Sequence, residues 1–286
     1  MTRYLVTGGG GMLAADLAEA LSGRDVTIAR RADLDVTDSA AVDAFVNGYD
    51  VIINAAAYTK VDDAETHEDD AHAINAEGPA NLARAAAATG AVLVQVSTDY
   101  VFNGTASEPY PEDTPRDPVS AYGRTKGDGE RLALELNPDR TIIVRTAWLY
   151  GAGGNNFVKT MLKLAADRDT LTVVADQVGQ PTWTLDLAQQ IVALLDAGVT
   201  SGVFHGTNAG ETSWHGFAQQ VFTNAGLDAA RVHPTTSAEF VRPAPRPAYS
   251  VLGHNAWATA GIPAMRDWQD ALADAMARGG FGAAPQ

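Results

Sequence analysis

Short apolar runs and longer amphipathic segments alternate along the first 150 residues. The short runs are rich in β-branched residues, as buried strands are, and the longer segments carry alanine and leucine at helical spacing. Predicted strands cover residues 3–7, 25–29, 51–57, 92–96 and 141–147, and predicted helices cover 12–21, 39–47, 69–89 and the segment around 122–126. This alternation predicts an α/β fold of Rossmann type, with a doubly wound parallel sheet.

The pattern becomes irregular after the glycine-rich stretch 151–154. Helices are predicted over 156–166, 185–195 and 213–225, short strands over 171–174 and 203–205, and a basic, proline-stiffened loop over 242–247. We therefore interpret 1–150 as one domain and 151–286 as a smaller α+β region, with a segment near 184–207 returning to the first domain. Loop-rich regions of this kind are typical of substrate recognition.

Composition excludes several classes of function. The net charge of −15 argues against binding to nucleic acid or an anionic membrane. The absence of cysteine excludes a disulfide framework and a thiol nucleophile. The N-terminus enters a strand pattern directly, without a signal peptide, and no apolar run approaches about 20 residues. We therefore expect a soluble cytoplasmic protein, and we predict no metal because the histidines lack metal-binding spacing.

A glycine-rich turn joins the first predicted strand to the first predicted helix. Glycines let the backbone approach a pyrophosphate, which then lies on the helix N-terminus. The spacing Gly8-x-x-Gly11-x-x-Ala14 departs from Gly-x-Gly-x-x-Gly, and an ordinary glycine-rich turn is the alternative. We predict a dinucleotide cofactor that contacts Gly8, Gly10, Gly11, Met12 and Leu13.

The second predicted strand ends in two arginines, Arg30 and Arg31. Arginines at this position favour binding of a 2′-phosphate and therefore of NADP(H). We therefore interpret residues 1–150 as an NADP-binding domain. A solvated basic pair is the alternative. Because Asp33 and Asp35 follow, and an acid here binds the ribose hydroxyls of NAD(H), use of NAD(H) stays open.

Tyr122 and Lys126 lie one helical turn apart and therefore on the same face. An ammonium group beside a phenol favours the phenolate, so we expect Lys126 to lower the pKa of Tyr122 and make it an acid–base group. The spacing alone is a weak motif. Thr98, at the end of a predicted central strand, is a candidate donor to a substrate carbonyl, although strand-end capping would also explain it. We predict the catalytic group Thr98, Tyr122 and Lys126.

Four further segments carry a family resemblance: 54–62, 97–102, 145–151 and 176–182. With the glycine turn and the Tyr122–Lys126 pair, the chain resembles the extended short-chain dehydrogenase/reductase family. Within that family, the four segments resemble the dTDP-4-dehydrorhamnose reductases in order and spacing. The resemblance extends from Leu5 to about Leu252.

The resemblance implies NADPH-dependent reduction of the C4 ketone of dTDP-4-dehydro-L-rhamnose to dTDP-L-rhamnose. Tyr122 would be the general acid, Lys126 would bind the nicotinamide ribose, and Thr98 would bind the substrate oxygen. Further cofactor contacts are implied for Arg30, Asp35, Val36, Ala56, Ala57, Tyr58, Thr59 and Val96. Further substrate contacts are implied for Val61, Asp99, Tyr100, Trp148, Gln177, Pro181, Thr182, Arg242 and Arg246. Asn75 falls near the family's helix asparagine, which supports a proton-relay water.

Two alternatives stay open. The chain could reduce a related dTDP-4-keto-deoxysugar in antibiotic sugar biosynthesis, because the same motifs would bind cofactor and nucleotide. It could also be a non-catalytic NADP-binding regulatory subunit, as in methionine adenosyltransferase, although the catalytic group together with Trp148 favours an enzyme. The glutamates that hold a metal between subunits in some family members have no match here. We predict no metal, and either a monomer or a homodimer.

Overall fold

The structure, a computed structural model, describes residues 1–282. Its strands are β1 (Arg3–Thr7), β2 (Asp25–Ile28), β3 (Val51–Asn54), β4 (Val92–Thr98), β5 (Thr141–Thr146), β6 (Leu149–Tyr150), β7 (Leu171–Val174), β8 (Val178–Gly179), β9 (Thr182–Trp183), β10 (Gly202–His205), β11 (Thr212–Ser213) and β12 (Val232–Thr235). Its α-helices are α1 (Met12–Ala20), α2 (Ser39–Phe45), α3 (Val61–Ala64), α4 (Glu68–His72), α5 (Gly78–Thr89), α6 (Ala121–Leu136), α7 (Phe157–Asp167), α8 (Thr184–Asp196), α9 (Trp214–Asn224), α10 (Asn255–Thr259) and α11 (Trp268–Arg278).

Six parallel strands form the main sheet, in the order β10-β5-β4-β3-β1-β2. Every residue of β3, β4 and β5 is buried, as expected for strands covered on both faces. Helices α1, α8 and α10 supply apolar side chains to one face, and α2, α5 and α6 supply them to the other. The predicted doubly wound Rossmann-type sheet is confirmed.

The part of the chain after β5 divides between two cores. Helix α8 packs on α1, and β10 adds to the sheet beside β5, with Gly202 opposite Ile142. The remaining elements form a second apolar core, which we call the C-terminal core and which comprises side chains from α7, α9 and α11 and the short strand pairs β6–β9 and β7–β12. The last four residues of the region predicted as 151–286 lie outside the described residues.

The long helix predicted over 69–89 is present as a continuous helical segment, but it contains a π-helical turn (Ala73–Glu77) between α4 and α5. The turn places Asn75 against the loop after β3, where its side-chain oxygen accepts from Tyr58 N at 2.8 Å. Helix α6 lies so close that a Cβ on Gly129 would come within 2.0 Å of Asn75 O. Such π-turns recur at functional sites.

Several other predicted bounds shift. The strand predicted over 51–57 ends at Asn54, and β4 continues through Ser97 and Thr98. The paired two-residue strands were not predicted, since elements of two residues leave no periodic pattern, and the eleven-residue helix α11 was missed as well. In residues 1–282, no helix combines the length and apolar character needed to cross a bilayer.

Candidate active site

A chain of buried polar side chains crosses the carboxyl ends of the central strands. Thr7 Oγ1 bonds to Asn54 Oδ1 at 2.5 Å, and Asn54 Nδ2 donates to Gln95 Oε1 at 2.7 Å. Gln95 Nε2 and Lys126 Nζ both donate to the Val96 carbonyl, at 2.8 and 2.7 Å. Because each group has a partner in a water-poor interior, the chain fixes Lys126 at the edge of the sheet.

The first turn of α6 is anchored on both sides. Ser120 caps the helix by accepting from Gly123 N at 3.1 Å, and Ala121 N donates to Glu65 Oε1 at 2.8 Å. A Cβ on Gly123 would lie 2.2 Å from the Tyr100 carbonyl, so only glycine allows this close approach. The Tyr122 ring therefore meets Tyr100 edge-on, with ring centroids 5.4 Å apart.

Thr98, Asp99 and Tyr122 meet where β4 ends. The Thr98 hydroxyl donates to Asp99 Oδ1 at 2.9 Å, accepts from Tyr100 N at 3.2 Å, and lies against the Tyr122 phenol. Burial raises the pKa of Asp99 to about 6, against the opposing effect of hydroxyl hydrogen bonds. The structure thus brings together the hydroxyl and the phenol that the sequence predicted as partners.

The predicted lowering of the Tyr122 pKa by Lys126 is wrong in this structure. Burial raises the pKa of Tyr122 to about 12, and the Thr98 hydroxyl opposes this only in part. Lys126 is buried, and its ammonium points to the Val96 carbonyl. Desolvation lowers the pKa of Lys126 to about 8, while the charge of Glu130 opposes that shift. At neutral pH the phenol therefore keeps its proton and the lysine keeps its charge.

The glycine turn has the shape that a dinucleotide requires. Gly8 has φ of 75°, and a Cβ there would lie 2.7 Å from the Ala55 backbone. A Cβ on Gly10 would meet nothing within 4 Å, which leaves an open space above the turn. Gly11 is the N-cap of α1 and offers no side-chain cap, so the amides at that end stay available to a phosphate. Met12 follows half-buried, whereas Leu13 points into the core.

The two arginines after β2 differ in their partners. Arg31 Nη2 lies 3.2 Å from Asp35 Oδ2, and Asp35 also accepts from Thr37. The Arg30 side chain is exposed beside the turn, and its backbone N–H donates to Asp33 Oδ2 at 2.9 Å. Val36 is buried, so its side chain supports the loop from below. Arg30 is consequently the arginine that is better placed to meet an added phosphate.

The loop between β3 and α3 carries the remaining cofactor candidates. Ala56 N donates to Asn54 Oδ1 at 3.2 Å, and the Tyr58 hydroxyl donates to Asp63. Ala57 is half-buried and Thr59 is exposed, while Val61 opens α3. The loop is thus held at its root and open along its outer side.

A cavity of about 490 Å³ lies between Tyr100 and residues of the C-terminal region. Its walls are largely apolar and come from β7 and α7, and its rim carries arginines. The lining residues include Tyr100, Phe157, Met161, Leu171, Val173, Gln177, Trp214, Arg168, Arg242 and Arg246. Among these residues, the sequence analysis predicted Tyr100, Gln177, Arg242 and Arg246. It missed the apolar residues, because in a sequence they cannot be told from other buried positions.

Asp62 joins the two predicted substrate arginines. Arg246 Nη2 lies 2.9 Å from Asp62 Oδ1, and Arg242 Nε lies 3.5 Å from Asp62 Oδ2. The guanidinium of Arg246 also lies over the Tyr100 ring, 5.8 Å from its centroid. The contact ties the basic loop to α3, on the opposite side of the site. The cavity therefore has a locally basic rim, although the net charge of the whole chain is strongly negative.

Trp148 and the segment 176–182 lie together behind this rim. Trp148 stacks on Trp214, with ring centroids 3.6 Å apart, and its carbonyl accepts from Thr182 N at 3.3 Å. Pro181 and Thr182 are both buried. Trp214 was not among the predicted site residues. In residues 1–282, no three acidic or histidine side chains are grouped as metal ligands.

The parallel sheet, the glycine turn and the grouping of Thr98 with Tyr122 and Lys126 define an oxidoreductase of the extended short-chain dehydrogenase/reductase class. Residues 2–280 match the family described as RmlD substrate binding domain, and the chain belongs to that family.

The relatives cover almost the whole chain. A dTDP-4-dehydrorhamnose reductase of Streptomyces griseus is 50% identical over 280 residues, which are 95% of this chain and 92% of the relative. A dTDP-4-keto-6-deoxy-D-glucose reductase of Streptomyces niveus is 48% identical over 277 residues, 96% of either chain. Among solved structures, the dTDP-4-dehydrorhamnose reductase of Bacillus anthracis in complex with NADP superposes with a TM-score of 0.94 at 39% identity, covering 98% of this chain and 100% of the other.

Proposed function

We propose that this protein reduces the C4 ketone of dTDP-4-dehydro-L-rhamnose to dTDP-L-rhamnose with NADPH. The observation that carries the proposal is the meeting of the Thr98 hydroxyl with the Tyr122 phenol, one helical turn from the buried ammonium of Lys126. A ketone placed there would find two hydroxyl donors for the negative charge that develops on its oxygen. The names of the relatives support the same reaction.

The cofactor would lie with its pyrophosphate on the amides of Gly10, Met12 and Leu13, where the turn leaves an open space, because the Gly11 N–H already donates to the Gly8 carbonyl at 2.8 Å. When bound, NADPH supplies the hydride. Lys126 would hold the nicotinamide ribose, since its ammonium stays charged below about pH 8. Arg30 would meet the 2′-phosphate, which is the reason for preferring NADPH over NADH. Ala56, Ala57, Tyr58 and Thr59 would border the nicotinamide half.

The proton would come from Tyr122. With a pKa of about 12, its phenol is fully protonated at neutral pH and can give the proton to the developing alkoxide. The Thr98 hydroxyl would share the same oxygen and hold the ketone in line with the phenol. To donate to the ketone, the Thr98 hydroxyl would turn its single proton away from Asp99 Oδ1, to which it donates at 2.9 Å in the structure. Thr98 and Tyr122 thus act at one stated atom, the C4 oxygen of the sugar.

We propose that the cavity beyond Tyr100 takes the nucleotide. Its apolar wall, which includes Phe157 and Met161, suits a pyrimidine base. The rim arginines, Arg242 and Arg246, suit a diphosphate. Val61 and Trp148 would border the sugar between these two ends. Residues 1–150 would then mainly bind the cofactor, and the region from 151 onward would mainly bind the substrate.

The proposal is tested by following NADPH absorbance with purified protein and dTDP-4-dehydro-L-rhamnose. Other dTDP-4-keto-deoxysugars are assayed in parallel, because the Streptomyces niveus relative is named for one of them. We expect the highest kcat/KM with the rhamnose precursor. A higher kcat/KM with another ketosugar would identify the protein as a reductase of that dTDP-4-keto-deoxysugar. No NADPH oxidation with any sugar would favour a non-catalytic regulatory subunit.

A further inference from the structure

Trp148 holds an unusual backbone conformation. Its φ is 47°, and it is the sole non-glycine residue with positive φ in the part of the chain that the structure describes. A bulky residue adopts this left-handed region only when its surroundings enforce it. The residue lies between β5 and β6, where the chain leaves the main sheet. Something next to Trp148 must therefore fix the direction of its indole.

The indole lies in a slot between two neighbours. On one side, a Cβ on Gly179 would come within 2.6 Å of Trp148 Cε2 and 2.7 Å of Cζ2, so only glycine leaves room for the ring. On the other side, Trp214 stacks at 3.6 Å between centroids, with the ring planes 12° apart. At this short centroid distance the two rings overlap face to face with little offset, so Trp214 fills the space over that face and contacts it by dispersion. The ring is consequently confined across both of its faces.

The two walls of the slot are connected through the backbone. Strand β8, which contains Gly179, pairs with β11, and β11 leads directly into Trp214 at the start of α9. Ser213 caps that helix by accepting from Gly216 N at 3.0 Å. Phe157 packs behind Trp214, with centroids 4.7 Å apart. The slot is therefore a built element with a fixed width, and its outer wall also lines the cavity of about 490 Å³.

We propose that Gly179 and Trp214 are positioning residues that set Trp148 as the wall of the sugar site. Trp214 is then the partition between the sugar and the nucleotide cavity, because it contacts Trp148 and lines that cavity. The sugar assignment of Trp148 rests on the proposed function, whereas the slot itself rests on the contacts alone. A wall fixed in this way limits how the ketone can tilt against Tyr122.

The first test is Gly179→Ala, which keeps both indoles and narrows the slot. Two stacked indoles couple their near-ultraviolet transitions and give a paired circular-dichroism band. We expect Gly179→Ala to abolish that band, lower kcat by about 10-fold or more, and leave the Kd for NADPH unchanged, because misplacing a reacting group by about 1 Å can cost 10²-fold. Trp257→Phe, on α10 and buried against the main sheet, is the control and should keep both the band and kcat.

The second test removes the other wall. Trp214→Ala should match the loss of kcat in Gly179→Ala, and Trp214→Phe, which retains a flat ring, should recover part of it. Unchanged kcat in Trp214→Ala, or loss of the band in Gly179→Ala with unchanged kcat, would overturn the proposal. An intact band in Gly179→Ala would also overturn it. Wild-type protein that reduces no sugar would refute the proposed function, while the circular-dichroism band would still test the slot.

Discussion

Lys126 offers a stability test whose magnitude follows from the structure. Burial lowers its pKa from 10.5 to about 8, so below pH 8 the folded chain carries the cost of a desolvated charge that the unfolded chain does not. A shift of about 2.5 units corresponds to roughly 3 kcal/mol at about 1.36 kcal/mol per unit. Lys126→Met removes that cost and also removes a hydrogen bond to Val96 O, worth about 1 kcal/mol.

We therefore expect Lys126→Met to raise the free energy of unfolding at pH 7 by about 2 kcal/mol. The wild type gains stability as pH rises from 8 towards 10.5, because its folded-state lysine loses the proton first. The difference between the two proteins should shrink over that window.

Urea denaturation at pH 7 and pH 10 measures both effects. Lys163→Met, at an exposed position of α7, is the matched control and should leave stability unchanged. The same Lys126→Met variant should lose most turnover because the nicotinamide ribose loses its ammonium partner. A variant less stable than wild type at pH 7 would refute the inference that Lys126 is held at a cost to stability.

Three further predictions concern single side chains. Tyr122→Phe should keep the Kd for NADPH and lose about 10²- to 10⁴-fold in kcat; wild-type kcat would remove Tyr122 from the acid role. Arg30→Ala should weaken the affinity for NADPH by about 10-fold and leave the affinity for NADH almost unchanged. Arg31→Ala, which loses only its ion pair with Asp35, should weaken NADPH binding less. Equal losses of affinity for both cofactors would exclude Arg30 as the phosphate ligand. Because burial raises the pKa of Asp99, its ionisation is unfavourable in the folded state, and the wild type should lose roughly 3 kcal/mol of stability as pH rises from about 4 to 6. Asp99→Asn should abolish this loss. A pH profile of stability like that of the wild type would contradict the burial argument.

The parallel sheet could be predicted because its strands are long, apolar and separated by periodic helices. Tyr122 and Lys126 could be paired because four residues make one helical turn, whatever the tertiary structure. The predicted direction of the Tyr122 pKa was wrong for a tertiary reason. The four-residue spacing places the Lys126 ammonium near the Tyr122 phenol, but the ammonium donates its hydrogen bond to the Val96 carbonyl instead. Burial then determines the pKa of Tyr122.

Other parts of the candidate site left no readable signal. Gln95 and Asn54 face each other only because β3 and β4 pair in that register. Trp214 and Gly179 meet Trp148 through a pair of two-residue strands, too short to produce a pattern. The π-helical turn at Asn75 likewise depends on the close approach of α6, which Gly129 permits. These features follow from contacts between distant segments, so periodicity along the chain could not predict them.

In the proposed reaction, C4 of the sugar ketone receives the hydride beside Thr98 and Tyr122. The most direct measurement uses NADPH that carries deuterium at both hydrogen positions of nicotinamide C4, with dTDP-4-dehydro-L-rhamnose as the substrate and NMR of the product. We expect one deuterium at C4 of the product sugar, and almost no labelled product from Tyr122→Phe over the same time. Deuterium at another carbon, or product without deuterium, would contradict it.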